Sequence, residues 1–172
     1  IHLIDTGDGL ILIDSGYLGA THLLVDSIWR AGFDPKNVRW IIHTHGHSDH
    51  YGASDEFRIM YGTKLAISRV DAESLRLKPH RAHVDKACFP YAKIPDFDYE
   101  IEDGEVLKIG NVKIRCVLTP GHTAGVMSLF FDVTYEENTN ENVDKLLRWI
   151  LSDEGQSIIE ETGYVGIARR EE

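Results

Sequence analysis

The sequence is short of the features that mark several protein classes. Only two cysteines, Cys88 and Cys116, occur in 172 residues. Two thiols make neither a disulfide framework nor a zinc knuckle, though a single bridge is left open. Cys116 sits in the apolar run 114–118 and is expected to be a buried small hydrophobe. Bases are scarce: 18 Lys and Arg face 28 Asp and Glu, a formal net charge of −10. Phosphate binding needs basic surface, so this balance argues against a nucleic-acid partner. No run approaches the ~18 apolar residues of a membrane span. The chain opens on Ile1 with neither an initiator Met nor a signal-peptide pattern, so a mature form, a trimmed chain or a fragment is expected. There is no Gly-rich phosphate loop and no Ser/His/Asp or Cys/His arrangement.

What is present suits one globular core. Hydrophobic residues make up 42% and charged residues 27%, which is ordinary, and a chain of this length buries about 70% of its unfolded surface. The charge is uneven. Residues 1–133 hold 18 acids and 14 bases, whereas residues 134–172 hold 10 acids and 4 bases.

Apolar spacing sets the elements. The segments 2–5 and 10–14 around Thr6-Gly7-Asp8-Gly9 predict a β-hairpin. Residues 20–31 predict a helix with Ala20, Leu24, Ile28 and Ala31 on one face, stopped by Gly32. A buried strand is expected over 38–43, a helix over 52–61 with Ala53, Phe57, Met60 and Tyr61 inward, and a strand over 64–67. Ser68 and Asp71 suit a capping pair for a short helix through Arg76. Residues 76–97, with Pro79, Pro90 and Pro95, read as loop. Gly110-Asn111 predicts a hairpin between 106–109 and 112–118, and 126–133 a further strand. Alternating strands and helices imply sheets covered by helices.

The chemistry is concentrated after the strand at 38–43, in His45-Gly46-His47-Ser48-Asp49-His50. Four ligand-type residues in six positions, directly after a buried strand, point to a metal site. Neutral imidazoles and carboxylates are zinc ligands at about 2.0–2.2 Å. Residues two apart in an extended turn point the same way, so His45 and His47 can share an ion. Asp49 and His50, from the following bend, can reach a second. His43 is expected to pack, and His2 and His22 to lie on the surface. His80 and His83 fall in the proline-containing loop that can border the site, which makes them candidates for substrate contact.

The pattern H-x-H-x-D-H after a strand resembles the signature of the metallo-β-lactamase superfamily. Leu10 to Gly16 resembles that family's strand ending in Asp-x-Gly, and Thr119-Pro120-Gly121-His122-Thr123-Ala124-Gly125 its third-histidine loop, continued by Met127-Ser128-Leu129. Residues 51–53 and 62–68 fit the helix and strand that follow the main motif. The resemblance covers residues 1 to about 133 and is most like the third lactamase subclass and its relatives. It implies an α/β (α+β) fold, an αββα sandwich that is incomplete in this chain, in a partial metal-binding domain over 1–133.

By the same resemblance, His45, His47 and His122 hold the first zinc ion, and Asp49 and His50 belong to a second site, giving one or two ions of Zn2+. Three histidines leave the fourth position that a catalytic zinc keeps open. Asp14 is expected to accept the other N–H of a ligand histidine, fixing its tautomer. Asp49 would orient the nucleophile or accept its proton. The lactamase subclass completes its second site with a histidine near the C-terminus, and no histidine follows His122 here. Asp132 stands where other branches place a bridging aspartate, but without the Gly-Asp context.

The implied function is zinc-dependent hydrolysis, with metal-bound hydroxide attacking the carbonyl of a cyclic amide or ester of the β-lactam kind. The alternatives are a thioester or lactone hydrolase of the same fold, and a non-catalytic chimeric or truncated chain. The expected partner is a small-molecule substrate, not nucleic acid or membrane. A lactamase-like role would place the chain in the periplasm or outside the cell. From Thr134 the character changes: residues 134–142 are polar, and Val143, Leu146, Leu147, Ile150 and Leu151 then take helical spacing. Residues 142–167 resemble the C-terminal end of periplasmic phosphate- and tungstate-type binding proteins, so 134–172 reads as a helical tail of different origin.

Overall fold

The computed structural model describes residues 1–131 and Ser152. The expectations for Asp132 and for the 134–172 tail lie outside these residues. The described region is built from two sheets. The first has the order β1-β2-β3-β4-β5, formed by β1 (His2–Asp5), β2 (Leu10–Ile13), β3 (Val38–Ile42), β4 (Lys64–Ser68) and β5 (Tyr99–Ile101). β1 runs antiparallel to β2, and β2 to β5 run parallel to one another. The second is the antiparallel sheet β6 (Val106–Ile109), β7 (Val112–Leu118) and β8 (Met127–Phe131).

The parallel strands require crossovers. These carry α1 (Thr21–Arg30), then a single turn α2 (Ser48–Tyr51) with α3 (Ser54–Tyr61), and finally α4 (Arg69–Leu77), followed by a 3-10 turn at Pro79–Ala82. β2 is buried along its whole length, the pattern of a strand covered on both faces. One face contributes Leu10, Leu12, Val38, Ile41 and Leu65 to a core closed by Leu24 and Ile28 of α1 and Phe57 of α3. The other face contributes Ile11, Ile13, Ile42 and Ala66 to a core shared with Ile114, Cys116 and Met127 of the second sheet. A third cluster, Tyr51, Ile67, Ala72, Leu75 and Ala82, seats α4. The outer positions of the second sheet, Val106, Lys108, Lys113, Arg115 and Phe130, are exposed. This is the mixed α/β architecture that the sequence implies, and no helix of the described residues is long and apolar enough to cross a membrane.

Several sequence expectations need correction. The second half of the histidine motif is one turn of helix, α2, and Gly52 and Ala53 separate it from α3. Met60 faces solvent, at 54% exposure, while Ala53 and Phe57 are fully buried. Residues 76–97 are not all loop, because α4 reaches Leu77 and a 3-10 turn follows. β5 pairs in register with β4, through Ala66 opposite Tyr99, although its three residues are too few for a periodic signal. Cys88 and Cys116 are both free.

Candidate metal centre

The site forms where β2, β3 and β4 end together. Asp14 closes β2 in the left-handed region, φ 60°, which Asp tolerates better than most residues. Its amide donates to Ile42 O at 3.0 Å, so the turn stays tied to β3. The chain then runs alongside the helical turn of the motif: Ser15 N donates to His50 O at 2.7 Å and Gly52 N to Gly16 O at 2.7 Å. Gly52 is required at this approach, since a Cβ there would be driven into the backbone of Tyr17 and Leu18.

Three imidazoles converge at these strand ends. His45 and His47 follow β3, and His122 comes from the loop between β7 and β8. One ring nitrogen from each lies within 4.8 Å of the other two. Ring centroids are 4.7 Å apart for His45 and His47, 4.7 Å for His45 and His122, and 4.6 Å for His47 and His122. Burial falls from His45 to His47 to the exposed His122, so the cluster opens to solvent on one side.

The hydrogen bonds select the tautomers. Asp14 Oδ1 accepts Thr44 N at 2.8 Å, and Asp14 Oδ2 accepts Thr44 Oγ1 at 2.9 Å. With its proton committed to Asp14, Thr44 Oγ1 can only accept from His45 Nδ1, 3.1 Å away. That leaves His45 Nε2 without a proton. This atom is buried and has no hydrogen-bond partner among the described residues. A lone-pair nitrogen held away from water without a partner is costly, and a cation among the three rings would satisfy it. His50 Nδ1 donates to Asp14 Oδ2 at 2.8 Å, which likewise bares His50 Nε2.

The electrostatics agree with neutral donors. Burial, reinforced by His50, His47 and His122, pushes His45 down to about 4. Burial, then the neighbouring His122 and His83, also lowers His47. Metal binding requires unprotonated imidazole, and these shifts supply it at neutral pH. His50 is raised, chiefly by its hydrogen bond to Asp14. Burial pushes the Asp14 carboxyl up, but the His50 hydrogen bond and the Thr44 amide outweigh it and leave the group below its ordinary value. The residues present therefore fit a divalent ion, with His45, His47 and His122 as its protein donors.

Asp49 and His50 sit beside this cluster. The His50 ring centroid is 3.9 Å from that of His45, and Asp49 Oδ2 is 3.6 Å from His50 Nε2. Neither belongs to a group of three donors as tight as the first among the described residues. His43 is fully buried, with Nδ1 2.8 Å from Ala66 O and Nε2 2.7 Å from Ser54 Oγ, in the packing role expected of it.

A cleft of about 440 Å³ opens over the exposed side, lined by Gly46, His47, Asp71, Arg81, His83 and His122 among others. His83 has a left-handed backbone, φ 54°, and its ring centroid is 4.6 Å from that of His47. Ser48 Oγ donates to its carbonyl at 3.0 Å. His80 is not among the lining residues. Sequence reasoning passed over Thr44 as a tautomer-setting hydroxyl, and took Asp71 only as a helix-capping partner. Thr44 is adjacent to the motif, but nothing in its spacing signals Asp71.

Residues 1–134 match the family model of the metallo-beta-lactamase superfamily. An N-acyl homoserine lactonase of Bacillus thuringiensis is 25% identical over 154 residues, covering 76% of this chain and 57% of the lactonase. A hydroxyacylglutathione hydrolase of Rhodopseudomonas palustris is 33% identical over 92 residues, covering 54% of this chain and 29% of that protein. A subclass B3 metallo-beta-lactamase of Bradyrhizobium japonicum superposes with a TM-score of 0.68 at 26% identity, over 79% of this chain and 51% of the lactamase. The chain thus spans between about a third and somewhat over half of the length of these relatives.

Proposed function

Because the chain belongs to the metallo-beta-lactamase superfamily, we propose that it is a zinc-dependent hydrolase acting on the carbonyl of a cyclic amide or ester, with β-lactams the leading substrates. The observation that carries this reading is the buried Nε2 of His45, without a hydrogen-bond partner among the described residues, amid three converging imidazoles. When bound, zinc supplies Lewis-acid polarisation of a carbonyl and a nucleophile at neutral pH.

The chain's own residues divide the remaining work. Thr44 and Asp14 hold His45 and His50 with Nε2 bare. Asp49, its side chain 42% exposed and beside His50, is the carboxylate placed to accept a proton from the attacking group. With His50 it belongs to a second ion position. Arg81 and His83 line the cleft together with Pro120 to Ala124 and would meet the substrate. The same reading takes residues 1–133 as a metal-binding domain and 134–172 as a segment of separate character.

A second reading, hydrolysis of a lactone or thioester, is favoured by the lactonase and hydroxyacylglutathione hydrolase among the relatives. The test is zinc per chain by elemental analysis after dialysis, followed by hydrolysis of a chromogenic cephalosporin, an acyl homoserine lactone and a glutathione thioester. Retained zinc with turnover of the cephalosporin supports the first reading, and turnover of either other substrate alone supports the second. A chain that retains no zinc overturns both and leaves the non-catalytic alternative.

A further inference from the structure

Asp71 is buried, at 3% exposure, yet it is on neither histidine loop. It occupies the third position of α4, whose N-cap is Ser68, and Ser68 Oγ accepts Asp71 N at 3.2 Å. A carboxylate in a first helical turn is favoured by the helix dipole. From there its two oxygens reach both loops. Oδ2 accepts Gly46 N at 2.9 Å and Thr123 Oγ1 at 2.8 Å, and Oδ1 accepts Gly125 N at 3.0 Å. Gly46 lies between His45 and His47, and Thr123 directly follows His122. Each contact is therefore one or a few residues from a histidine of the cluster.

The surroundings are shaped for this contact. Ser68 Oγ donates to Gly125 O at 2.6 Å, so the same helix start also holds the carbonyl side of the loop. A Cβ on Gly125 would lie 2.5 Å from both Asp71 N and Ser68 Oγ, so only glycine lets the loop come this close. Gly46 packs on the Leu75 side chain of α4, 2.8 Å from where its Cβ would lie. His122 enters from the second sheet, whereas His45 and His47 follow the first. Asp71 is a direct side-chain tie between the two loops.

We propose that Asp71 is a positioning residue that sets the distance between His122 and the His45–His47 pair, and so sets the metal affinity of the site. The proposal rests on reading those three histidines as metal ligands. An amide in place of the carboxylate has one acceptor oxygen for donors on two sides. One N–H or O–H then faces an NH2 group, and the charge-assisted bonds are lost.

The experiment compares the full chain with its Asp71→Asn, Thr123→Val and Glu73→Gln variants. Glu73 is exposed on the same helix. Cobalt(II) and zinc dissociation constants are measured by chelator competition, cobalt absorption spectra are recorded, and melting is followed with the metal removed. Asp71→Asn is expected to weaken metal binding about 10- to 100-fold, as losses around ligand histidines do, and to alter the cobalt spectrum. Thr123→Val is expected to give a smaller loss in the same direction, and Glu73→Gln none. Unchanged affinity and spectrum in Asp71→Asn overturn the proposal. Should Asp71→Asn fail to fold, Thr123→Val decides: weakened binding with unchanged metal-free melting supports the role, and unchanged binding overturns it. Absence of metal binding by the unmodified chain overturns the histidine reading itself, a result separate from equal binding by chain and variant.

Discussion

Asp14 Oδ2 lies 2.8 Å from His50 Nδ1 and also accepts the Thr44 hydroxyl at 2.9 Å. One carboxylate at the end of β2 thereby sets the proton positions of two histidines that follow β3, His50 directly and His45 through Thr44.

Substitution tests this relationship. Asn also tolerates the left-handed backbone at position 14, so Asp14→Asn isolates the acceptor from the turn. The expected result is a 10- to 100-fold weaker zinc dissociation constant with a small change in metal-free melting, measured by chelator competition and thermal denaturation. Equal affinity would show that the tautomers do not depend on Asp14.

His122 stands apart as the exposed member of the three. In His122→Ala the proposed site loses its imidazole from the β7–β8 loop, and elemental analysis after dialysis should find one zinc ion fewer per chain than in the parent. His80→Ala, outside the cleft, should retain the zinc of the parent chain.

Acid should destabilise the metal-free fold. Burial drives His43 from 6.5 down to about 4. Its folded value is below its unfolded one, so the unfolded chain binds more protons between the two. The stability is complete above about 6.5 and is lost as the pH falls toward 4. The full span corresponds to about 3 kcal/mol. His45 shifts in the same direction, while His50, raised by Asp14, works in the opposite one. Urea midpoints at pH 7 and pH 5, for the parent and His43→Gln, measure the share of His43. Identical pH slopes would assign the effect elsewhere.

Gly52 packs against the backbone of residues 16–18, so Gly52→Ala has no flexible side chain to displace. A loss of about 4 kcal/mol or more is expected, the tail of the distribution for single substitutions. A urea midpoint close to the parent's would mean that the segment at residues 16–18 can move away from Gly52 without cost.

The legible parts of the molecule were those with a local signature. The hairpins 2–13 and 106–118 have turn residues between alternating or apolar runs, and both are present with that pairing. Leu24, Ile28, Ala53 and Phe57 were marked by helical spacing and are buried. His45, His47 and His122 were marked by motif, and the structure brings them together although 75 residues separate the last two. Met60 departs from the expectation because the inward face of α3 runs through Ser54, Phe57 and Tyr61, which leaves Met60 at its solvent side. β5 and Asp71 could not be read, since each is defined by partners distant in the chain: β4 for the first, and Gly46 and Gly125 for the second.

The second sheet is joined to the first by an apolar interface and, near the site, by the bond from Met127 N to Thr44 O at 2.9 Å. Two of the converging imidazoles belong to one sheet and the third to the other. An ion bound by all three would therefore add a cross-link between the two layers, beside the few hydrogen bonds that already join them. Ligand bound only by the folded chain adds RT ln(1 + [L]/Kd) to stability, about 2.7 kcal/mol at a hundred times Kd. The cohesion of the two layers would then follow the free zinc around the molecule, and its melting temperature would serve as a gauge of zinc supply.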